Sequence, residues 1–179
     1  MRNPYLIGQK VYLRPIEEAD APACYAWMND PAVRPTLARA GRPNTEAMTR
    51  DWIRSLDLQR DHVFAIVTCE SDVYVGNCGL HEINWVDRHA TLGIVIGRTD
   101  HWGRGLGTEA VRLLCRHAFD DLDLHKVGLA CYATNERGLR TYARVGFQVE
   151  GRRREQVFIE GRRIDDVLMG LLRGELRLS

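Results

Sequence analysis

Residues 101–110 read HWGRGLGTEA, with glycine at 103, 105 and 107, arginine at 104, and then Thr108, Glu109 and an apolar pattern of helical spacing. A backbone this bare at a helix start lets unhindered N–H groups reach an anion, and the helix dipole favours negative charge there. Three phosphate ligands suit such a seat: a dinucleotide, a nucleoside triphosphate and coenzyme A. A glycine-rich turn holding nothing is the fourth reading, because glycine punctuates turns generally.

The neighbouring residues choose among them. A Walker A loop needs Lys followed by Ser or Thr after its last glycine, and Leu106-Gly107-Thr108 supplies no lysine. The Rossmann fingerprint needs G-x-G-x-x-G inside a βαβ unit, with an acidic residue about twenty positions on. Here the spacing is G-x-G-x-G, after three strands that read as antiparallel. KVYLRPIEEAD alternates Val11 and Leu13 against Tyr12 and Arg14 and runs into a helix containing Tyr25, Trp27 and Met28. A second helix starts at an Asn44 or Thr45 cap and carries Met48, Trp52, Ile53 and Leu56. HVFAIVTC, VYVGNCGLHEIN and HATLGIVIG read as strands.

Beyond the glycines, Ala110, Val111, Leu114, Ala118 and Phe119 share one helical face. KVGLACYA has the length and apolarity of a central strand. NERGLRTYARVGF begins at an Asn135 cap and stops at Gly146, and two last strands join around Glu160-Gly161. The sum is one α/β domain, residues 1–179, with a mixed, mainly antiparallel sheet of about seven strands and about four helices.

Composition narrows the function. The 179 residues carry 25 basic and 24 acidic side chains, formal charge +1, so no global field points to nucleic acid or a membrane. MRNPYLIGQK lacks the apolar stretch of a signal peptide, and the expected location is the cytoplasm. Five scattered cysteines without a C-x-x-C suit reduced thiols. Cys78 with His81, and Cys115 with His117, would be half-sites for zinc without a second half, so no metal is expected.

TLGIVIG, WGRGLGTEA, ATNERGLRTYARVGF and the hairpin EGRRREQVFIEGRRIDDVLM, in this order, resemble the GNAT acetyltransferase superfamily. The similarity is closest to the branch of RimJ/RimL-type ribosomal-protein N-terminal acetyltransferases and bacterial spermidine acetyltransferases, and it covers nearly the whole chain. It implies acetyl transfer from acetyl-CoA to a primary amine, on a protein N-terminus or a small metabolite, in a ternary complex. The alternatives are an acyl-CoA-binding module without turnover and a Rossmann-like oxidoreductase. A homodimer is common among such look-alikes.

By the same resemblance the diphosphate lies on Trp102, Gly103, Arg104, Gly105, Leu106 and Gly107, with Thr108 at the helix start, and a side chain at Gly105 or Gly107 would intrude. Trp102 stands where relatives usually carry Gln or Arg, and Arg104 reads equally well as a phosphate ligand or a solvated arginine. Ile94, Val95 and Ile96 would pair with the pantetheine arm as an added strand, with an oxyanion donor near Ile94 or Val95. Asn135 would bond the pantetheine besides capping its helix. Tyr142, two helical turns after Asn135, would return a proton to the leaving thiolate, its other reading being packing against Phe147. Relatives often place a glutamate base where this chain has Thr91, which leaves Glu82, His81 and Asp87 as nearby groups able to act through water. Glu17, Glu18 and Asp20 are candidate attractors of a cationic amine, and the arginines at 152–154, 162 and 163 read as a solvated hairpin face.

Overall fold

In the computed structural model, which describes residues 1–37 and 43–178, eight strands form a single sheet in the order β1-β2-β3-β4-β5-β6-β8-β7. The strands are β1 (Leu6–Ile7), β2 (Val11–Pro15), β3 (His62–Thr68), β4 (Tyr74–Asn84), β5 (His89–Ile96), β6 (Lys126–Tyr132), β7 (Gln148–Ile159) and β8 (Arg162–Leu172). Four α-helices accompany them: α1 (Ala21–Asn29), α2 (Glu46–Arg54), α3 (Leu106–Arg116) and α4 (Glu136–Val145). The mixed, mainly antiparallel architecture expected from the sequence is present, with one strand more. β1 has only two residues, too few for an alternation to be legible, and is held by pairing Leu6 with Leu13 and Ile7 with Tyr12.

Every neighbouring pair is antiparallel except β5 and β6, which α3 connects as a crossover. Their pairing covers only His89 with Lys126, Ala90 with Val127 and Thr91 with Gly128. Past Thr91 the two strands share no further partners, so the middle of the sheet is split.

The main core fills the sheet face under α3 and α4. Ala110, Val111, Leu114, Ala118 and Phe119, read from the sequence as one face, are all buried there against Leu13, Ile66, Leu80 and Leu92. The backbone widens into a π turn at His117–Asp121, which keeps Ala118 and Phe119 facing inward. On the other face α1 is fixed by two contacts. Asp20 takes two hydrogen bonds from the Arg14 guanidinium, at 2.8 and 2.6 Å, both residues being buried. Trp27 lies on Gly97, where a Cβ would run into the indole. In α2, capped by Thr45 through the Met48 N–H, Ile53 is buried but Met48 faces solvent, contrary to the helical-face reading.

One side chain locates the start of α3. The Glu109 carboxylate accepts from the backbone N–H groups of Gln9, Lys10 and Val11 at 2.8–2.9 Å, and Gly8 leaves room for it. Replacing Glu109 by Ala strands three donors in the β1–β2 turn. The expected cost is about 2–3 kcal/mol of unfolding free energy in urea titration, and a loss below about 0.5 kcal/mol would show that α3 is anchored elsewhere.

Candidate functional site

Between the end of β5 and α3 the backbone turns left-handed twice, at Gly103 (φ 77°) and Gly105 (φ 81°), where a side chain is strained whatever the space around it. The consequence is a run of exposed donors. The N–H groups of Gly103, Arg104, Gly105, Leu106, Gly107 and Thr108 find no acceptor among the described residues, and the first amide of α3 to do so is that of Glu109. Three of the six belong to the first turn of α3, where the dipole adds partial positive charge.

Gly107 is informative because the protein itself does not require it. Its φ is ordinary, and a Cβ there would meet only Ile96 and Ile94, at 3.5 and 3.9 Å, which is normal contact. The expected intrusion at Gly107 therefore does not involve protein atoms, and a glycine inside a helix costs roughly 1 kcal/mol relative to alanine. The packing of the described residues supplies no reason for a glycine at this position.

Two cations absent from the sequence reading flank the loop. Lys10, brought in by the β1–β2 turn, donates to the Arg104 carbonyl at 3.2 Å. Arg137, in the first turn of α4, stacks on the Trp102 ring at 3.5 Å. Lys10 and Arg104 are 94 positions apart in the chain, so no local pattern could have paired them. Arg104 itself points into solvent without an ion pair among the described residues.

The split in the sheet begins beside this loop. β4 pairs with β5 along Gly76 to His81, leaving the opposite edge of Gly93–Ile96 without a strand. The Trp102 indole donates to the Ile96 carbonyl at 2.7 Å, which uses its one donor internally and shows that Ile96 directs its backbone away from β4. Antiparallel strands alternate in this respect, so the N–H and C=O of Ile94 face the open side and those of Val95 face β4.

α4 borders the other side of the split. The Asn135 side chain accepts from the Gly138 N–H at 3.0 Å, the expected cap, and Gly146 ends the helix at φ 119°. Tyr142 is buried against Phe147, with ring centroids 5.9 Å apart, so the packing contact is present. Its hydroxyl makes no hydrogen bond among the described residues. Burial, with the Cys131 sulfur beside it, holds that hydroxyl above the ordinary phenol pKa, so it is a protonated donor at neutral pH.

The sheet face toward α1 and α2 carries Thr91, which is exposed, and His81 directly across from it on β4. Cys78 is buried in the core on the opposite face, so Cys78 and His81 do not converge. Glu17, Glu18 and Asp20 are paired with Arg2, Arg54 and Arg14 respectively, which removes them as free attractors of an amine. Arg152 and Arg153 pair with Asp165 and Asp166, and Arg163 lies over Phe158. Asp166 is buried on the same face as Tyr132, and its Oδ1 has no partner among the described residues. A cavity of about 430 Å³ opens between Pro35, Thr36, Asn135, Glu160 and Arg162.

Residues 10–148 match the family model of the acetyltransferase (GNAT) domain. The chain belongs to the GNAT acetyltransferase family. It is 31% identical over 176 residues to the uncharacterized N-acetyltransferase p20 of Bacillus licheniformis, covering 95% of this chain and 97% of that one. It is 30% identical over 160 residues to the spermidine N(1)-acetyltransferase of Escherichia coli K12, covering 86% and 81%. Its fold superimposes with a TM-score of 0.85 on the spermidine N-acetyltransferase of Vibrio cholerae solved with CoA and spermine, at 23% identity over 94% and 98% of the chains. The protein is an acetyl-CoA-dependent N-acetyltransferase, and among the described residues no helix is long and apolar enough to cross a membrane.

Gly107→Ala should leave urea stability within about 1 kcal/mol of the parent or raise it, because alanine is the better helix former. CoA binding by calorimetry should weaken roughly tenfold or more, about 1.4 kcal/mol, if the helix start holds the diphosphate. Unchanged CoA affinity would contradict that placement.

Proposed function

We propose that the enzyme acetylates a small cationic primary amine by direct attack on acetyl-CoA. The observation that carries the assignment of roles is the continuity of the six unpaired amides at 103–108 with the open edge of β5, with α4 reaching the loop through Arg137 on Trp102 and Tyr142 lying beside Cys131 of β6, past the last β5–β6 pair.

The amides of Gly103 to Thr108 hold the diphosphate, with Lys10, Arg104 and Arg137 supplying positive charge around it. The freed edge of the Ile94–Ile96 stretch, through the backbone of Ile94 and the N–H of Ile96, pairs with the amide-bearing pantetheine arm as a partial strand, while Val95 faces β4, and Asn135 bonds the arm from the far side. The N–H of Ile94 is the donor for the oxyanion, since alternation turns it to the open edge. The amine lone pair attacks the thioester carbonyl carbon, the C–N bond forms and the C–S bond breaks. Tyr142, whose hydroxyl burial keeps protonated, gives its proton to the departing thiolate.

Several features support a cationic acceptor. One relative at 30% identity is a spermidine N(1)-acetyltransferase. Glu160 lines the cavity together with Asn135 and Arg162, and Asp166, whose Oδ2 is paired with Arg153, keeps a buried Oδ1 without a partner among the described residues on the acceptor-facing side of the sheet. The same reading takes the enzyme as cytoplasmic and acting without nucleic acid or membrane, with a homodimer as its assembly, which light scattering after size exclusion checks.

Thiol release from acetyl-CoA, followed across spermidine, spermine and peptides with free N-termini, should be fastest with the polyamines. Turnover of peptides alone would move the acceptor to protein N-termini. Tyr142→Phe should lower kcat by about 10²-fold, the usual scale for one positioned acid, with CoA affinity unchanged. A kcat within threefold of the parent would remove Tyr142 from the chemistry and leave it a packing residue.

A further inference from the structure

Acylation of an amine requires its nitrogen to shed a proton, and Thr91, exposed on β5 beside the end of the β5–β6 pairing, offers no basic group. The structure places an imidazole next to it. His81 on β4 is the direct cross-strand partner of Thr91 and points to the same face, toward α1 and α2. Its Nδ1 lies 2.9 Å from Asp61 Oδ1. A carboxylate can only accept, so Nδ1 carries the ring proton and Nε2 presents its lone pair. Nε2 makes no hydrogen bond among the described residues, and about a third of the side chain is exposed.

The ring lies in space that two glycines clear for it. Gly79 and Gly93 are partners across β4 and β5. A Cβ on Gly79 would come within 3.0 Å of His81 Nε2, and one on Gly93 within 3.3 Å. Neither glycine has the left-handed φ that demands the residue; the ring is the sole close neighbour at Gly93, while at Gly79 the His62 carbonyl and the Val63 side chain, both at 3.1 Å, crowd a Cβ as well. Nε2 is thereby aimed along the sheet toward Gly93, one residue from Ile94, where β5 loses its β6 neighbour. Tyr142 stands on the opposite face, in the core cluster under α3 and α4.

We infer that His81, oriented by Asp61, is the general base that takes the amine's proton, an inference that rests on the acetyltransferase reading of this same site. The amine reacts with its attacking nitrogen neutral, one proton having gone to solvent; as the C–N bond forms, the nitrogen's next proton passes to His81 Nε2, giving an imidazolium held by the Asp61 carboxylate. The thiolate carries away the C–S electron pair and is protonated by Tyr142. The imidazolium then loses its proton to solvent while Tyr142 regains one, so the products are amide and free thiol with no net change at either side chain. Asp61 is a positioning residue, since it acts through His81.

The test compares the parent with His81→Ala and Asp61→Asn, using acetyl-CoA and spermidine, with the CoA-induced rise in melting temperature as a check that fold and cofactor seat persist. His81→Ala should lose about 10²-fold in kcat with KM for acetyl-CoA unchanged, and added imidazole should restore part of the rate. Asp61→Asn should lose roughly tenfold in kcat, without imidazole rescue. Activity of His81→Ala within threefold of the parent, or a loss that imidazole does not relieve while CoA still binds, overturns the role of His81 and leaves the acetyltransferase reading standing. A parent that releases no thiol with spermidine or with any amine overturns both.

Discussion

Strands β5 and β6 are neighbours for three residue pairs and then part, and the proposed working surface of the enzyme follows from that parting. A continuous sheet would spend the edge of Gly93–Ile96 on a ladder and leave no strand for a ligand to join. The parting has to be held open against the ordinary tendency of strand edges to pair. Trp102 holds the Ile96 carbonyl at one end of it, Glu109 ties α3 to the β1–β2 turn, and Trp27 fixes α1 on Gly97. The opening is therefore a property of the folded chain and not something its ligand must create.

The two faces of the sheet beside this opening differ in character. Under α3 and α4 the sheet is dense with apolar side chains, and Tyr142 is placed among them, where burial keeps its proton on. On the α1 and α2 face the residues around the split are small or polar: Gly79, Gly93, Thr91 and Ala130. His81 and Tyr142 lie on opposite faces of the sheet, so in the proposed mechanism the amine approaches from one side while the thiolate leaves toward the other.

Much of this was legible in the sequence, and for identifiable reasons. Helices α3 and α4 declare themselves by periodicity, by the Asn135 cap and by the Gly146 stop, all of which are local signals. The glycines at 103 and 105 were rightly read as a special backbone, although the physical demand on them is left-handed φ, and only Gly107 lacks an internal reason. What escaped was long-range. Lys10 reaches the loop from 94 residues away, Glu109 caps a turn on the far side of the chain, and Arg137 meets Trp102 only after α4 has docked. The acids Glu17, Glu18 and Asp20 looked available because nothing in the sequence shows that Arg2, Arg54 and Arg14 fold back onto them. His81 was visible as a nearby residue, while its partner Asp61 and the two glycines beneath it were not.

The central claim is that the unpaired amides from Gly103 to Thr108 grip the diphosphate of CoA. Backbone hydrogen–deuterium exchange resolved to single amides, with CoA and separately with pantetheine, reads it directly. The expected result is strong slowing at Gly103 to Thr108 with CoA and little with pantetheine, which lacks the diphosphate. Exchange at those six amides that is unchanged by saturating CoA would contradict it.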